Sequence, residues 1–281
     1  MRVPFTKMHG LGNDYVYFDC VRNPGLIPAP AAVAPALSDR HCGIGGDGIV
    51  LILPHREADF QMRMFNADGS EAEMCGNAIR CVGKLVYDRG YHQSETVRIM
   101  TGNGIRTLQL TVAGGVCTHA RVAMGEPKLS GPQIPIALAK ERIQGEPITV
   151  AGTTYAFTGV SMGNPHCVIF VDEITDRQVL QHGPLLEVHP LFPRRINVEF
   201  VKLLNRREVA MRVWERGSGE TMACGTGACA VGVACVLNGQ TDRDVTVHLR
   251  GGDLRIQWDE RDGQVYMTGP ATHAFDGEVE L

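Results

Sequence analysis

The hydrophobic residues of this 281-residue sequence fall mostly in short runs, rich in β-branched and aromatic side chains and closed by glycine or polar turns. Such runs are typical of strands in curved sheets joined by hairpins. Nine strands are predicted on this basis, at residues 15–18, 49–53, 97–100, 107–112, 167–171, 198–203, 209–213, 245–249 and 254–258. Two longer segments, Gly76–Asp88 and Gly225–Leu237, each begin at a Cys-Gly step and end shortly before a glycine, which favours helices. The pattern therefore predicts an α+β fold.

The stretch at residues 28–35, rich in proline and alanine, interrupts this pattern. A regular helix throughout it would contain Pro35, which lacks the N–H that a helix interior needs. We therefore predict a connector that leads into a short helix near residues 36–40.

The sequence repeats itself at a shift of 149 positions, which is the separation of Cys75 and Cys224. Without gaps, residues 62–90 match residues 211–239 at eight of 29 positions, where chance would give roughly two. The repeated residues are Met62, Arg63, Glu71, Cys75, Gly76, Val82, Gly83 and Gly90, which recur as Met211, Arg212, Glu220, Cys224, Gly225, Val231, Gly232 and Gly239. The repeat predicts two lobes built from one α/β unit, with equivalent loops that face one cleft.

The composition argues against nucleic-acid-binding, secreted and membrane-spanning proteins. The formal net charge of −4 and the pI of about 6.2 give no basic patch for nucleic acid or an anionic membrane. The first nine residues contain Arg2, Lys7 and His9 and so lack the apolar stretch of a secretory signal. No run approaches the roughly 18 apolar residues of a membrane span. We therefore expect a cytoplasmic protein, in which nine cysteines remain reduced and mostly pack in the core.

Cys75 and Cys224 are exceptions to that default because each stands at the head of a predicted helix. The backbone N–H groups and the helix dipole found there would stabilise a thiolate and lower the pKa of the thiol. The same N–H groups could hold a carboxylate. With one such helix start on each side of an amino acid, one sulfur could remove the α-proton while the other returns a proton to the opposite face. The pattern thus predicts an amino-acid epimerase, with no sign of a pyridoxal or metal cofactor.

Seven motifs along the chain resemble those of the diaminopimelate epimerase family. They lie, in the order found in the family, at residues 8–14, 43–48, 65–70, 74–77, 162–167, 215–217 and 223–227. The resemblance covers essentially the whole chain and implies two pseudo-symmetric lobes, each a curved, mostly antiparallel sheet or barrel around a central helix. It also implies interconversion of LL- and meso-diaminopimelate, in lysine and peptidoglycan precursor synthesis, by a homodimeric enzyme without a cofactor.

The resemblance further implies roles for individual residues. Cys75 and Cys224 would be the proton donor and acceptor, with His166 as the partner of Cys75 and Glu215 as the partner of Cys224. Backbone groups of Gly76, Asn77, Gly225 and Thr226 would hold the reacting carboxylate. The substrate-binding side chains would be Asn13, Asn66, Asn164, Asn197, Glu215 and Arg216. Where some members carry a substrate-facing glutamine this chain has Gly48, so no side-chain contact is assigned there, and the contact is either lost or supplied by water. The other seven cysteines, Cys20, Cys42, Cys81, Cys117, Cys167, Cys229 and Cys235, are assigned to packing.

The lobes are placed at residues 1–120 with 271–281, carrying Cys75, and at 121–270, carrying Cys224, with the active site in the cleft between them. Other functions stay open at this stage. The proline racemase group also uses two cysteines, but its first cysteine typically precedes Gly-His and not Gly-Asn. A thiol redox or metal-binding protein would favour shorter cysteine spacings than those found here. An amino-acid binding protein would need no thiols at helix starts.

Overall fold

The computed structural model describes every residue from Met1 to Leu281 and contains eighteen strands and four α-helices. The strands are β1 (Arg2–Gly10), β2 (Asn13–Asp19), β3 (Gly48–Leu53), β4 (Phe60–Asn66), β5 (Glu71–Ala72), β6 (Thr96–Thr101), β7 (Gly104–Ala113), β8 (Val116–Gly125), β9 (Glu146–Val150), β10 (Thr153–Ser161), β11 (Pro165–Phe170), β12 (Asn197–Asn205), β13 (Glu208–Glu215), β14 (Gly219–Glu220), β15 (Asp244–Leu249), β16 (Gly252–Trp258), β17 (Val265–Pro270) and β18 (Thr272–Glu280). The helices are α1 (Pro30–Ser38), α2 (Gly76–Asp88), α3 (Gly183–Glu187) and α4 (Gly225–Leu237), and a π-helical turn, Arg177–His182, precedes α3. None of these helices combines the length and the apolar character that crossing a membrane requires.

The chain packs as two units. The first comprises Met1–Val122 with Thr268–Leu281. Its strands run in the order β18, β1, β2, β3, β4, β6, β7, β8, with β5 beside β4. The β2–β3 and β4–β6 pairs are parallel, and the other pairs are antiparallel.

The second unit, Ala123–Met267, repeats this arrangement. Its strands run β9, β10, β11, β12, β13, β15, β16, with β14 beside β13, and the β11–β12 and β13–β15 pairs are parallel. Even the register recurs, since Ile49 pairs with Phe65 and Val198 pairs with Trp214. Both pairs are related by the shift of 149, so the sequence repeat is a structural repeat.

Each unit covers one long helix with its own sheet. In the first unit α2 packs against β1, β2 and β7, and in the second α4 packs against β10, β11, β12, β15 and β16. Glycines make this close approach possible: a Cβ on Gly83 would lie 2.9 Å from Leu108, and one on Gly232 would lie 2.6 Å from Ile256. The repeated Val-Gly step of the sequence is therefore where each helix meets its sheet.

All nine predicted strands and both long helices are confirmed, and so is the α+β fold. The prediction for residues 28–40 is wrong, because α1 runs through Pro35 and ends at Ser38. Pro35 removes the helical donor for the carbonyl of Ala31. That carbonyl lies against Gly69, where an added Cβ would come within 2.5 Å of its oxygen. Because Gly69 has no side chain, the neighbouring turn leaves room for the Ala31 carbonyl.

Candidate active site

Cys75 and Cys224 occupy the same position in the two units, as the residues that cap the N-termini of α2 and α4. Both have an extended backbone, with φ and ψ of −135° and 121° at Cys75 and −115° and 109° at Cys224. Each sulfur accepts a hydrogen bond from the backbone N–H three residues on, Ala78 at 3.5 Å and Gly227 at 3.3 Å. Each helix therefore directs the positive end of its dipole towards a cysteine sulfur.

Amide side chains surround the half-buried Cys75. Its sulfur lies 3.4 Å from Oδ1 of Asn13, and the same oxygen accepts a hydrogen bond from Nδ2 of Asn77 at 3.3 Å. Nδ2 of Asn13 donates to the Asp47 carboxylate at 2.7 Å, which fixes the orientation of the Asn13 amide. The buried Tyr15 hydroxyl also contacts Cys75 and Asn13, and burial is the main cause that raises the pKa of Tyr15.

A buried cation lies beside the first turn of α2. The Arg80 side chain has no exposed surface, and its Nη1 donates to the carbonyl of Gly76 and to Oδ1 of Asn77, both at 3.0 Å. Its Nε donates to the carbonyl of Pro270 at 3.1 Å. A guanidinium remains charged even when buried. Arg80 therefore places a fixed positive charge beside the first turn of α2 and holds the Asn77 amide.

The surroundings of Cys224 are more enclosed, and only 5% of this residue is exposed. Its sulfur lies 3.5 Å from Oγ1 of Thr226. Oγ1 of Thr226 in turn accepts a hydrogen bond from Nδ2 of Asn164 at 3.1 Å. The structure thus brings Asn164, Thr226 and Cys224 together at the start of α4.

His166 and Glu199 form a pair that solvent does not reach. Nδ1 of His166 lies 2.7 Å from Oε1 of Glu199, and both side chains are fully buried. Nε2 of His166 lies 3.0 Å from Oδ1 of Asn164. Both ring nitrogens therefore have an oxygen within hydrogen-bond distance, which fixes the orientation of the ring.

Glu215 contacts Cys224 directly. Its carboxyl accepts hydrogen bonds from the Thr221 hydroxyl and from the Cys224 thiol, and burial raises the pKa of Glu215. The pKa of the Cys224 thiol is itself raised well above its ordinary value, first by burial and then by the charges of Glu215 and Glu199. The Thr226 hydroxyl and the Gly227 N–H act in the opposite direction. The prediction of a lowered pKa is wrong for Cys224, because burial and two carboxylates outweigh the helix start.

Asn197 connects two backbone segments of the second unit. Its Nδ2 donates to the carbonyl of Pro165 at 2.8 Å, and its Oδ1 accepts the N–H of Arg216 at 2.9 Å. The Arg216 guanidinium donates to the carbonyl of Arg194 at 3.1 Å. Asn197 therefore fixes the Arg216 backbone relative to β11, while the Arg216 side chain lies at the surface.

Asn66 and Gly48 are paired residues of β4 and β3. Nδ2 of Asn66 donates to the Ser70 hydroxyl at 3.0 Å, within the turn that joins β4 to β5. A Cβ on Gly48 would clash with the carbonyl oxygen of Phe65. A glutamine at this position would therefore require a different path for one of these strands.

Comparison with known proteins agrees with the motifs. The profile of the family described as diaminopimelate epimerase matches residues 5–130 and 158–274. A protein named diaminopimelate epimerase from Acetivibrio thermocellus is 55% identical over 277 residues, which cover 99% of this chain and 98% of the relative. A protein of the same name from Methanococcus maripaludis strain S2 is 53% identical over 277 residues, which cover 99% of both chains. The chain belongs to the diaminopimelate epimerase family. The expectation of an amino-acid isomerase is thereby confirmed.

More distant proteins share the fold of this family member. A hydroxyproline epimerase from Agrobacterium vitis is similar with a TM-score of 0.69 at 15% identity, over 99% of this chain and 91% of that chain. A PhzF-family phenazine biosynthesis protein from Bacillus anthracis has the same TM-score and identity, over 100% of both chains. At such low identity the likeness concerns the fold alone.

Four residues around the cysteines of this family member were not predicted from the sequence: Tyr15, Arg80, Glu199 and Thr221. Glu199 and Arg80 left a detectable signal, because each is a charged residue inside an otherwise apolar strand or helix segment. Tyr15 and Thr221 left none, since a tyrosine in a strand and a threonine in a loop are common. The structure brings together no group of three or more His, Cys, Asp or Glu side chains that could hold a metal ion.

The packing role assigned to the other cysteines holds for six of the seven, which are buried. Burial raises the pKa of Cys20, Cys81 and Cys117 to about 11. The assignment is wrong for Cys42, which is exposed. This residue lies in the turn after α1, where its N–H donates to Oδ1 of Asp39 at 2.6 Å.

Proposed function

We propose that the protein epimerises LL-diaminopimelate to meso-diaminopimelate at one Cα, with Cys75 and Cys224 as the two acid–base groups and with no metal or organic cofactor. The observation that carries this mechanism is the equivalent position of the two sulfurs, each at the N-cap of the central helix of its unit. The reaction is nearly symmetric, because one group takes a proton from Cα and a like group returns one to the opposite face. The substrate is inferred from the names of the relatives, which are 51–55% identical.

In the proposed step, the thiolate of one cysteine removes the α-proton, so a Cα–H bond breaks and an S–H bond forms. The electron pair passes into the α-carboxylate, and the other thiol then protonates Cα from the opposite face. The negative charge that develops on the carboxylate needs donors already in place. The first helical bond of α4 runs from Ala228 to the carbonyl of Cys224, so the N–H groups of Gly225 and Thr226 precede it. Gly76 and Asn77 have the same place in α2.

Partner residues complete the proposal. Glu215 supports Cys224, whose thiol donates to its carboxyl. By resemblance to the family, His166 is proposed as the group that supports Cys75. In this proposal, the ammonium and carboxylate groups of the substrate bind to the side chains of Asn13, Asn66, Asn164, Asn197, Glu215 and Arg216. A guanidinium suits this task because it can grip a carboxylate at two points.

The test is incubation of the fully reduced protein with LL-diaminopimelate in deuterated water. Chiral chromatography would follow the configuration, and mass spectrometry would follow deuterium at Cα. We expect meso-diaminopimelate that carries one deuterium at the inverted carbon. Absence of both inversion and exchange would exclude the proposed activity.

A second experiment tests the pairing of the sulfurs. Two sulfurs that act on opposite faces of one carbon must approach each other when the substrate is absent. Mild air oxidation should then join Cys75 to Cys224 and inactivate the enzyme until a reductant is added. Peptide mapping without reduction would detect the bond. If both thiols survive prolonged oxidation, the paired arrangement is contradicted.

The proposal also includes a homodimer in the cytoplasm, with a place in lysine and peptidoglycan precursor synthesis. These statements rest on family membership. Sedimentation velocity at micromolar concentration would test the first, and a sedimentation coefficient of a single chain at all concentrations would contradict it.

A further inference from the structure

Glu199 is a buried carboxylate that the proposed mechanism does not use. It lies on β12 with no exposed surface, and its Oε2 has no hydrogen-bond partner. Its Oε1 is so close to the first turn of α4 that a Cβ on Gly227 would lie 2.8 Å from it. Burying a carboxylate is costly even when one oxygen is paired. A stable fold alone would not favour this residue.

The first unit shows that the fold has no need of a carboxylate at this position. The equivalent residue is Val50, at the shift of 149, and it pairs with Met64 in the register in which Glu199 pairs with Val213. Valine therefore fills the same strand position in the same scaffold. The reason for Glu199 must lie in what its carboxylate contacts.

A continuous chain of polar contacts links Glu199 to the Cys224 sulfur. Oε1 of Glu199 lies 2.7 Å from Nδ1 of His166, and Nε2 of that ring lies 3.0 Å from Oδ1 of Asn164. Nδ2 of Asn164 donates to Oγ1 of Thr226 at 3.1 Å, and that hydroxyl lies 3.5 Å from the sulfur. Each contact fixes the orientation of the next group, since imidazole and amide have distinct donor and acceptor ends.

We propose that Glu199 is a positioning residue: it fixes the ring of His166 and, through Asn164 and Thr226, the polar groups that hold the Cys224 sulfur. This inference rests on the function proposed above, because it assigns a purpose to a contact with one of the two acid–base groups. Glu199 itself contacts neither the sulfur nor the reacting carbon. It therefore acts through the groups that it holds and through the negative charge that it places near the sulfur.

The charges around Glu199 support this role. The ionisable groups that face it are His166 and Cys167 on β11, Glu215 on β13 and Cys224 at the start of α4. Its negative charge adds to burial and to Glu215 in raising the pKa of the Cys224 thiol. Loss of that charge must lower the pKa, because the thiolate then has one carboxylate fewer to oppose it. Glu199 thus helps to keep Cys224 protonated, as a proton donor must be.

The experiment replaces Glu199 with glutamine, which keeps the shape and can still accept a hydrogen bond from His166. We expect Glu199→Gln to lower kcat by roughly tenfold to a hundredfold, with KM changed less than threefold. Alkylation of Cys224 by iodoacetamide, followed by mass spectrometry across pH, should begin at a lower pH than in the wild type. The matched control is Glu208→Gln, an exposed carboxylate on β13 of the same unit, which should change neither measurement.

A double variant separates positioning from a general structural effect. If Glu199 acts in part through His166, Glu199→Gln combined with His166→Gln should lose less kcat than the product of the two single losses. Additive losses would overturn the inference, and so would wild-type kcat together with an unchanged Cys224 titration in Glu199→Gln. If Glu199→Gln fails to fold by circular dichroism, Glu199→Asp keeps the charge and withdraws the carboxylate from His166. A wild-type kcat in that variant would also overturn the inference.

The outcomes also separate this inference from the proposed function. If the wild type fails to epimerise diaminopimelate, the proposed function is wrong whatever the variants do. If the wild type is active and Glu199→Gln matches it in both measurements, only the positioning role is wrong.

Discussion

The two units place a cysteine at the same helix start and then surround it with different charges. Beside Cys75 lies Arg80, a buried cation, whereas the equivalent position in α4 is held by Cys229. Beside Cys224 lie the carboxylates of Glu199 and Glu215. The Asp47 carboxylate, bound to Asn13, also lies on the Cys75 side. The first cysteine therefore has charges of both signs in its surroundings, and the second has two carboxylates.

The difference extends to the residue two positions after each asparagine. Tyr15 and His166 are equivalent at a shift of 151, the shift that relates Asn13 to Asn164. Tyr15 presents a hydroxyl whose pKa is raised, while His166 is paired with Glu199. A positive surrounding favours a thiolate, and a negative one favours a thiol. The comparison teaches that a duplicated scaffold can surround two equivalent thiols with different polar and charged groups.

The strongest test of this comparison removes each sulfur in turn. Cys75→Ser and Cys224→Ser should each lower kcat/KM for epimerisation by roughly 10²–10⁴-fold, since a hydroxyl is a far poorer base and acid at Cα. Steady-state assay of configuration measures both losses. Cys42→Ser, at an exposed thiol, is the control and should retain wild-type activity. If one of the two variants remains fully active, the two-sulfur reaction is excluded.

The second test removes the cation from the first unit. Arg80→Leu takes away donors to the carbonyls of Gly76 and Pro270 and to Asn77, and it leaves these buried oxygens without that donor. We expect a loss of about 3–5 kcal/mol in the free energy of unfolding, measured with urea. Alkylation of Cys75 should also become slower at neutral pH, because a nearby positive charge is lost.

Arg98→Leu is the control for this second test, since Arg98 is exposed on β6 of the same unit. It should change the unfolding free energy by less than about 0.5 kcal/mol. If Arg80→Leu behaves like the control in stability and in Cys75 alkylation, the buried cation has no part in the difference between the units.

The sequence predicts the repeated helices and most strands of the two units, but it predicts little of the difference in charge around the two cysteines. The bounds of α2 and α4 follow from Cys-Gly starts and terminal glycines, and the repeat follows from the residues that recur at 149. The terminal strands β1 and β18 are harder to predict, because their pairing joins the two ends of the chain. The environments of the cysteines depend on Glu199 and Arg80, whose neighbours are distant in sequence. A pattern of single residues does not show which distant side chains will surround a thiol.

The third test concerns Glu215, whose pKa is raised by burial. A carboxyl with a raised pKa contributes stability that is fully present below its unfolded pKa, near 4.3, and that is lost as the pH rises through its folded value. At pH 7–8 an ionised Glu215 therefore costs stability, and Glu215→Gln should raise Tm by roughly 2 °C or more. Activity should fall at least tenfold, because the Cys224 thiol loses an anionic partner.

The pH dependence provides the check on this third test. The difference in Tm between Glu215→Gln and the wild type should shrink as the pH falls towards 4, where the wild-type carboxyl becomes protonated. Differential scanning calorimetry from pH 4 to 8 measures it. A variant that is less stable than the wild type at pH 8 would show that the hydrogen bond from Thr221 outweighs the cost of burial.

The smallest effects on stability are expected at two equivalent ion pairs, one in each unit. Arg63 binds Glu71 at 2.7 and 2.9 Å, and Arg212 binds Glu220 at 2.7 and 3.2 Å, so the two-point geometry is nearly the same. Their exposure differs, with side chains 39% and 47% exposed in the first pair but 20% and 10% in the second. Arg250 lies 3.0 Å from Glu220 as well.

Because water screens the first pair, Glu71→Gln should cost less than about 0.5 kcal/mol of unfolding free energy. Glu220→Gln should cost about 1–3 kcal/mol, since it removes the acceptor shared by Arg212 and Arg250 in a site that water reaches poorly. Urea unfolding of both variants measures the difference, and 0.5 M salt should weaken the already small effect at Glu71 further. If the two variants lose the same unfolding free energy, the shared two-point geometry determines the strength of these ion pairs. The difference in burial between the two units then has no effect.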